Sequence, residues 1–231
     1  ELVKMPSFIS FAKARAAWIR VGGDMSPYSS RPTYSYGTRW GATPTLSLGG
    51  TLYPQDIEPD FKNTIEFGTD IRLLKNRIGF DISYFEDTYT NQITQASISS
   101  SSGYTSRLIN SDKKTRTKGW EITMNSTPVK TENFSWDLAL NWSRTRDWLI
   151  QAESGKNGRD GYVKEGEKYG YLYYRNEFET TPDGQFVYRN GLPVKSNGVT
   201  NLGFGPSNWV GGLSSSFKYK DWFLSFSVDG R

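Results

Sequence analysis

Apolar and polar side chains alternate at every second residue along several runs of this chain, and the runs come in pairs. From Thr64 to Leu73, the residues Ile65, Phe67, Ile71 and Leu73 fall on one side and Glu66, Asp70 and Arg72 on the other. Beyond a turn at Lys75 and Asn76, Ile78, Phe80, Ile82 and Tyr84 share a side while Asp81 and Ser83 oppose them. A second pair sets Trp120, Ile122 and Met124 against Glu121, Thr123 and Asn125, turns around Pro128 to Glu132, and returns with Phe134, Trp136, Leu138, Leu140 and Trp142. Asp137, Ala139, Asn141 and Ser143 lie opposite that return run. A third pair spans Trp209 to Tyr219 and Trp222 to Val228 across Lys220 and Asp221, with Leu224 and Phe226 on its apolar side. Phe11 to Val21 reads as a less regular strand with Lys13 and Arg15 on one side. A period of two is the signature of a strand with two unlike faces, so the chain is predicted to be all-β and antiparallel.

Each run is about 9 to 11 residues, the length of a tilted strand that crosses a hydrocarbon layer. The connections fall into two classes. Those near Asn76, Lys130 and Asp221 are short, whereas 22 to 63, 96 to 116 and 148 to 208 are long, polar and rich in Gly, Ser, Asn and Pro. Short and long alternate throughout, the pattern of transmembrane β-barrels with short periplasmic turns and long external loops. Trp120, Phe134, Trp136, Trp142, Trp209 and Trp222 stand near the ends of their runs, where an interfacial aromatic girdle places them. The prediction is a portion of about seven strands of a larger barrel, because an open edge in lipid strands unpaired backbone groups and further strands must complete the wall. A β-sandwich shows the same alternation and stays open as the alternative at this point, for instance as a secreted carbohydrate-binding module.

Composition supports strands with one wet face. Only 35% of residues are hydrophobic, yet 15% are aromatic, with 14 Tyr, 13 Phe and 8 Trp. The net charge of +4 carries no basic run, so no nucleic-acid surface is indicated. The chain has no Cys and no His, which removes disulfides, thiolate metal sites and the usual triad and zinc-protease chemistries. No apolar stretch is long enough for a membrane-spanning helix. The opening residues, Glu1 to Phe11, lack the pattern of a signal peptide, so the chain is expected to be truncated at its start. The paired glycines at 22, 49 and 211 lack the strand, G-x-G-x-x-G and helix context of a dinucleotide site, and Gly155-Lys156-Asn157 lacks the spacing of a phosphate loop.

Candidate site residues fall into three groups. Glu66, Asp70, Arg72, Asp81, Glu121, Asp137 and Asn141 are expected to face a water-filled lumen, where such groups either contact cargo or pair with one another. Glu66 and Asp70 sit roughly 13 Å apart along a strand, too far for paired acid-base work. Phe67, Ile71, Phe80, Trp136, Leu138, Leu140, Trp142, Leu224 and Phe226 are expected to face lipid. Tyr169, Tyr171, Tyr173, Tyr174 and Arg175 form a dense aromatic segment suited to stacking on sugars or peptide side chains, or to packing a long loop internally. No catalytic residue, metal ligand or cofactor motif is indicated, so the chain is expected not to be an enzyme.

Several segments resemble, in order, the C-terminal barrel of SusC/RagA-type TonB-dependent transporters. Phe8 to Trp18 followed by Val21-Gly22-Gly23-Asp24 is similar to the family's F-x-K-x-R-x-S-W-x-x-V-G-N-D strand, and Ile57 to Asp70 to its L-K-P-E-x-T-x-S-W-E-x-G-x-D segment. Pro182-Asp183-Gly184, Asn190 to Pro193, Leu202 to Trp209 and Tyr219 to Trp222 follow in family order. Ile65 replaces the usual Trp, and Phe61 a charged residue. The resemblance implies residues 1–231 as part of the C-terminal barrel in a bacterial outer membrane, importing an oligosaccharide or oligopeptide. It also implies TonB as energy source, a SusD-like surface lipoprotein as partner, and a plug domain and N-terminal extension that this piece lacks.

Overall fold

The computed structural model describes residues 6–231; Glu1 to Met5, the first part of the stretch read for a signal peptide, lie outside the described residues. Seven strands form one sheet: β1 (Ile9–Gly23), β2 (Asp60–Leu73), β3 (Ile78–Thr90), β4 (Lys114–Lys130), β5 (Phe134–Gln151), β6 (Val210–Tyr219) and β7 (Trp222–Gly230). Spatial order follows chain order, and every neighbouring pair is antiparallel. β1 and β7 pair on one side only, so the sheet is an open wall.

Turn chemistry sets the short ends. Leu74, Lys75 and Asn76 take positive φ values of 52°, 57° and 65°, and Lys220 takes 51°, the left-handed geometry that a tight hairpin demands of its first central residue. The turn predicted to begin at Pro128 lies later, at Thr131 to Asn133. Pro128 instead sits where the β4 and β5 register slips between Ser126 and Val129, a bulge that tolerates a residue without an N–H.

Strands also run further than the alternation predicted. β3 continues from Tyr84 to Thr90, β4 begins at Lys114, and β5 continues from Ser143 to Gln151. Past the aromatic ends the former apolar face takes Glu86, Arg116, Lys118 and Arg144 and the former polar face takes Phe85, Tyr89 and Leu149, so the two-faced pattern vanishes while backbone pairing persists. For the same reason the stretches 22–63, 96–116 and 148–208 are not structureless. They hold short pairs such as Tyr34–Tyr36 with Leu46–Leu48, Gln92–Ser97 with Ser106–Ser111, and Tyr171–Arg175 with Val199–Phe204.

The register sorts side chains cleanly. One cross-strand row on one face reads Ile71, Phe80, Met124, Leu140, Leu213 and Val228. The facing surface carries Asp70, Asp81, Thr123, Asn141, Gly212 and Asp229. Among the described residues no second sheet covers either face. The buried apolar residues among those described, Leu108, Leu149, Ala152 and Val163, belong to the long connections or the far end of β5, while Phe67, Leu224 and Phe226 on the wall are exposed. A β-sandwich would seal those wall residues, so this alternative is overturned.

Candidate functional site: a two-faced wall and its loop cap

All seven residues predicted for a lumen share the polar face. On β2 and β3 their chemistry is ion pairing. Asp70 and Asp81 stand directly opposite across β2 and β3, a like-charge contact that destabilises unless compensated. Arg15 compensates one, donating at 2.9 Å and 2.7 Å to the two Asp81 oxygens and at 3.1 Å to Ser83 Oγ; Arg72 lies 3.3 Å from Asp70. Arg15 belongs to β1, so it must cross β2 to reach β3. Gly68 makes the crossing: a Cβ there would lie 2.4 Å from Arg15 Nε. Arg15 also approaches Glu66 at 3.6 Å. Nearer the long-loop end, the buried Asp87 takes Lys62 Nζ at 2.8 Å and Thr64 Oγ1 at 2.6 Å. Thr127 donates to Asp137 at 2.7 Å, whereas Glu121 and Asn141 stand exposed.

The nine residues predicted for lipid share the other face, with aromatics at two levels. Tyr84 and Trp120 pack at 5.0 Å, and toward the short turns Trp136 stacks on Phe217 at 5.7 Å with its Nε1–H donating to the buried Ser215 Oγ at 2.9 Å. From Trp120 to Val129, β4 rises roughly 30 Å at ~3.3 Å per residue. A tilt of ~40° projects this to ~23 Å, close to the apolar band of an outer-membrane barrel.

The long connections gather at one end and are stitched together. Thr51–Leu52 pairs in parallel with Ser106 and Arg107, and Asn110 bridges to Glu58 by a side-chain donor at 2.7 Å and an acceptor at 2.9 Å. Asp112 accepts from the Ser154 backbone N–H at 2.9 Å and from its hydroxyl, and these bonds hold its carboxyl below the ordinary range. Lys113 lies 3.2 Å from Asp160.

The predicted aromatic segment divides. Tyr169 turns inward onto the Leu149, Ala152 and Val163 cluster and donates its hydroxyl to Asp160 at 2.7 Å. Burial first, and the Asp160 bond second, push the Tyr169 phenol above its ordinary pKa, while the Tyr169 hydrogen bond lowers that of Asp160. Tyr171 packs edge-on against Phe204 at 5.3 Å and Tyr173 against Tyr162 at 5.0 Å; Tyr174 and Arg175 are exposed. The sequence reading missed Arg146. It is buried, donates to the carbonyls of Ser207 at 3.1 Å and Asn208 at 3.0 Å, and lies over the Phe204 ring, so it fastens the last long loop to β5. Its position just beyond an alternating run, four residues after Trp142, gave no such signal.

A single antiparallel layer with one apolar face, aromatic rows and all long loops at one end defines a portion of an outer-membrane β-barrel. No family model matches the chain. TonB-dependent receptor P39 of Formosa agariphila is 22% identical over 98% of this chain and 27% of its own length. TonB-dependent receptor SusC of Bacteroides thetaiotaomicron is 24% identical over 99% of this chain and 26% of its own. The solved structure of the RagAB peptide transporter superposes with a TM-score of 0.73 at 14% identity, over 99% of this chain and 27% of that one. The chain is thus similar, over nearly all its length, to segments of SusC/RagA-type TonB-dependent receptors of the outer membrane, and it spans about a quarter of the length of the relatives it matches.

Proposed function

We propose that residues 1–231 form part of the C-terminal barrel wall and external loops of a TonB-dependent importer of an oligosaccharide or oligopeptide. The observation that carries this reading is the strict segregation of faces on an uncovered sheet whose long loops all lie at one end. Phe67, Ile71, Phe80, Trp136, Leu138, Leu140, Trp142, Leu224 and Phe226 meet lipid. Glu66, Asp70, Arg72, Glu121, Asp137 and Asn141 meet the lumen, where Glu66, Asp70 and Arg72 lie in ion pairs and Glu121, Asp137 and Asn141 stand exposed to water and passing cargo.

Energy coupling to TonB runs through parts of the receptor other than these residues. The partner is a SusD-like surface lipoprotein that seats on the loop cap. Tyr171, Tyr174 and Arg175 are the contacts for cargo or partner, because their rings and guanidinium reach solvent while Tyr169 is turned into the loop core. A peptide cargo is favoured by the likeness to a structure described as a peptide transporter, and the oligosaccharide alternative rests on the sequence resemblance alone. Deletion of the gene, followed by growth on single glycans and on defined peptides, tests the reading. Loss of growth on one such nutrient, restored by the wild-type gene and not by a Tyr171→Ala/Tyr174→Ala/Arg175→Ala variant, is the expected result. Unimpaired growth on every glycan and peptide would overturn it.

A further inference from the structure

One row past Tyr84 and Trp120, the apolar face becomes charged. Glu86 and Lys118 pair in register, followed by Thr88 and Arg116. Arg116 Nε lies 3.0 Å from Glu86 Oε1 and Lys118 Nζ lies 3.0 Å from Oε2, so one carboxylate serves both cations. Arg144 stands exposed directly across from Trp120 on the same face, with no carboxylate in ion-pair range among the described residues. Two cations therefore share one carboxylate and a third, Arg144, has none, while Arg146 across from Lys118 is taken up by the Ser207 and Asn208 carbonyls, at the level where an aromatic row marks the edge of the hydrocarbon.

One row below Arg144 is an apolar recess of about 260 Å³ whose walls include Leu140, Trp142, Trp209, Gly211, Leu213 and Val228. Glycine keeps it open. A Cβ on Gly230 would come within 2.8 Å of the Trp209 ring, and one on Gly211 within 2.8 Å of the Asn141 carbonyl oxygen.

We propose that this patch binds a phosphorylated lipid of the outer leaflet, its phosphate held by Arg144, Lys118 and Arg116 and an acyl chain lying in the recess between Trp142 and Trp209. The inference rests on the reading that the apolar face meets lipid. A phosphate supplies the negative charge that Glu86 alone does not, and Arg guanidinium forks match its oxygens. The adjoining recess requires an amphiphile rather than a free anion. Cations at the headgroup level each strengthen attachment to anionic lipid, so the three act together.

The test uses the full-length receptor in detergent and native mass spectrometry. The probes are lipid A with its phosphates, the same lipid after phosphatase treatment, and inorganic phosphate. Retention of the phosphorylated lipid at least tenfold above the dephosphorylated one is expected, with about a fivefold loss in Arg144→Gln. A Glu86→Gln/Arg116→Gln/Lys118→Gln/Arg144→Gln variant, which strands no carboxylate, should lose the preference entirely, whereas Lys130→Gln/Lys220→Gln at the short turns should keep it. Equal retention of both lipids, undiminished binding by the fourfold variant, or displacement by millimolar inorganic phosphate overturns the proposal. Residues 1–231 contain no Cys, and in a full-length background with any other Cys replaced by Ser a bimane label on Leu140→Cys reports the underlying reading separately through quenching by brominated acyl chains. Without quenching, the face assignment falls; with quenching and no phosphate preference, the lipid site alone falls.

Discussion

Replacing Leu138 by Arg in the full-length receptor separates the two faces most sharply. Leu138 lies midway between the aromatic ends of the β5 apolar run, Phe134 and Trp142. The distance to either is roughly 13 Å along the strand at ~3.3 Å per residue. A tilt of ~40° makes this ~10 Å of depth, which puts the side chain near the middle of an apolar band ~25 Å tall. An Arg at that depth costs about 2–4 kcal/mol, and at the level of Trp142 about 0–1 kcal/mol. Its cross-strand neighbours, Ser126 and Ser215, offer no relief, since neither is an acid and the Ser215 hydroxyl already serves Trp136. Ala139, one residue on, points to the polar face opposite Asn125 and Ser214, so Ala139→Arg should change stability by less than ~0.5 kcal/mol. Reversible urea unfolding from lipid vesicles, followed by tryptophan fluorescence, reads both. A neutral Leu138→Arg together with a costly Ala139→Arg would refute the face assignment.

Other expectations follow from single contacts. Gly68→Val should evict the Arg15 guanidinium from its path to Asp81, leaving Asp70 and Asp81 opposed, and lower the temperature at which the barrel loses its compact migration on gels. Leu149→Ala empties the centre of the loop core and should cost the cap about 2–4 kcal/mol, seen as faster proteolysis within 152–209 with the wall intact. The Asp160 and Tyr169 pair has a two-sided pH window. Asp160 titrates below its ordinary value of 3.8, so its contribution is present above that value and lost as pH falls through the lowered pKa. Tyr169 titrates above its ordinary 10.0, so its contribution is complete below 10.0 and lost as pH rises through the raised pKa. Hydrogen exchange of amides 159–168, corrected for intrinsic pH dependence, should therefore be slowest between the two limits; protection that does not change from pH 3 to pH 11 would refute the pairing.

The sequence by itself determined the strands, their three hairpins and their two faces. Side chains on a strand alternate by stereochemistry, so Trp136, Leu138, Leu140 and Trp142 had to share one side, and the short turns set β2 beside β3, β4 beside β5 and β6 beside β7. Only the tertiary structure decided how far the strands extend, because past Tyr84 and Trp120 the two faces no longer differ in polarity and periodicity carries no information there. It also decided which loop residues matter. Tyr169 reads like its neighbours Tyr171 and Tyr174, yet packing against Leu149 and Val163 makes it a support, and Arg146 becomes a loop fastener only because Ser207 and Asn208 return beside it. The path of Arg15 over Gly68 to Asp81 joins three strands, and the charged patch at Arg116, Lys118 and Arg144 joins two strands to the groove of a third. Such contacts depend on register between distant segments, which pairing energies set and local pattern does not record.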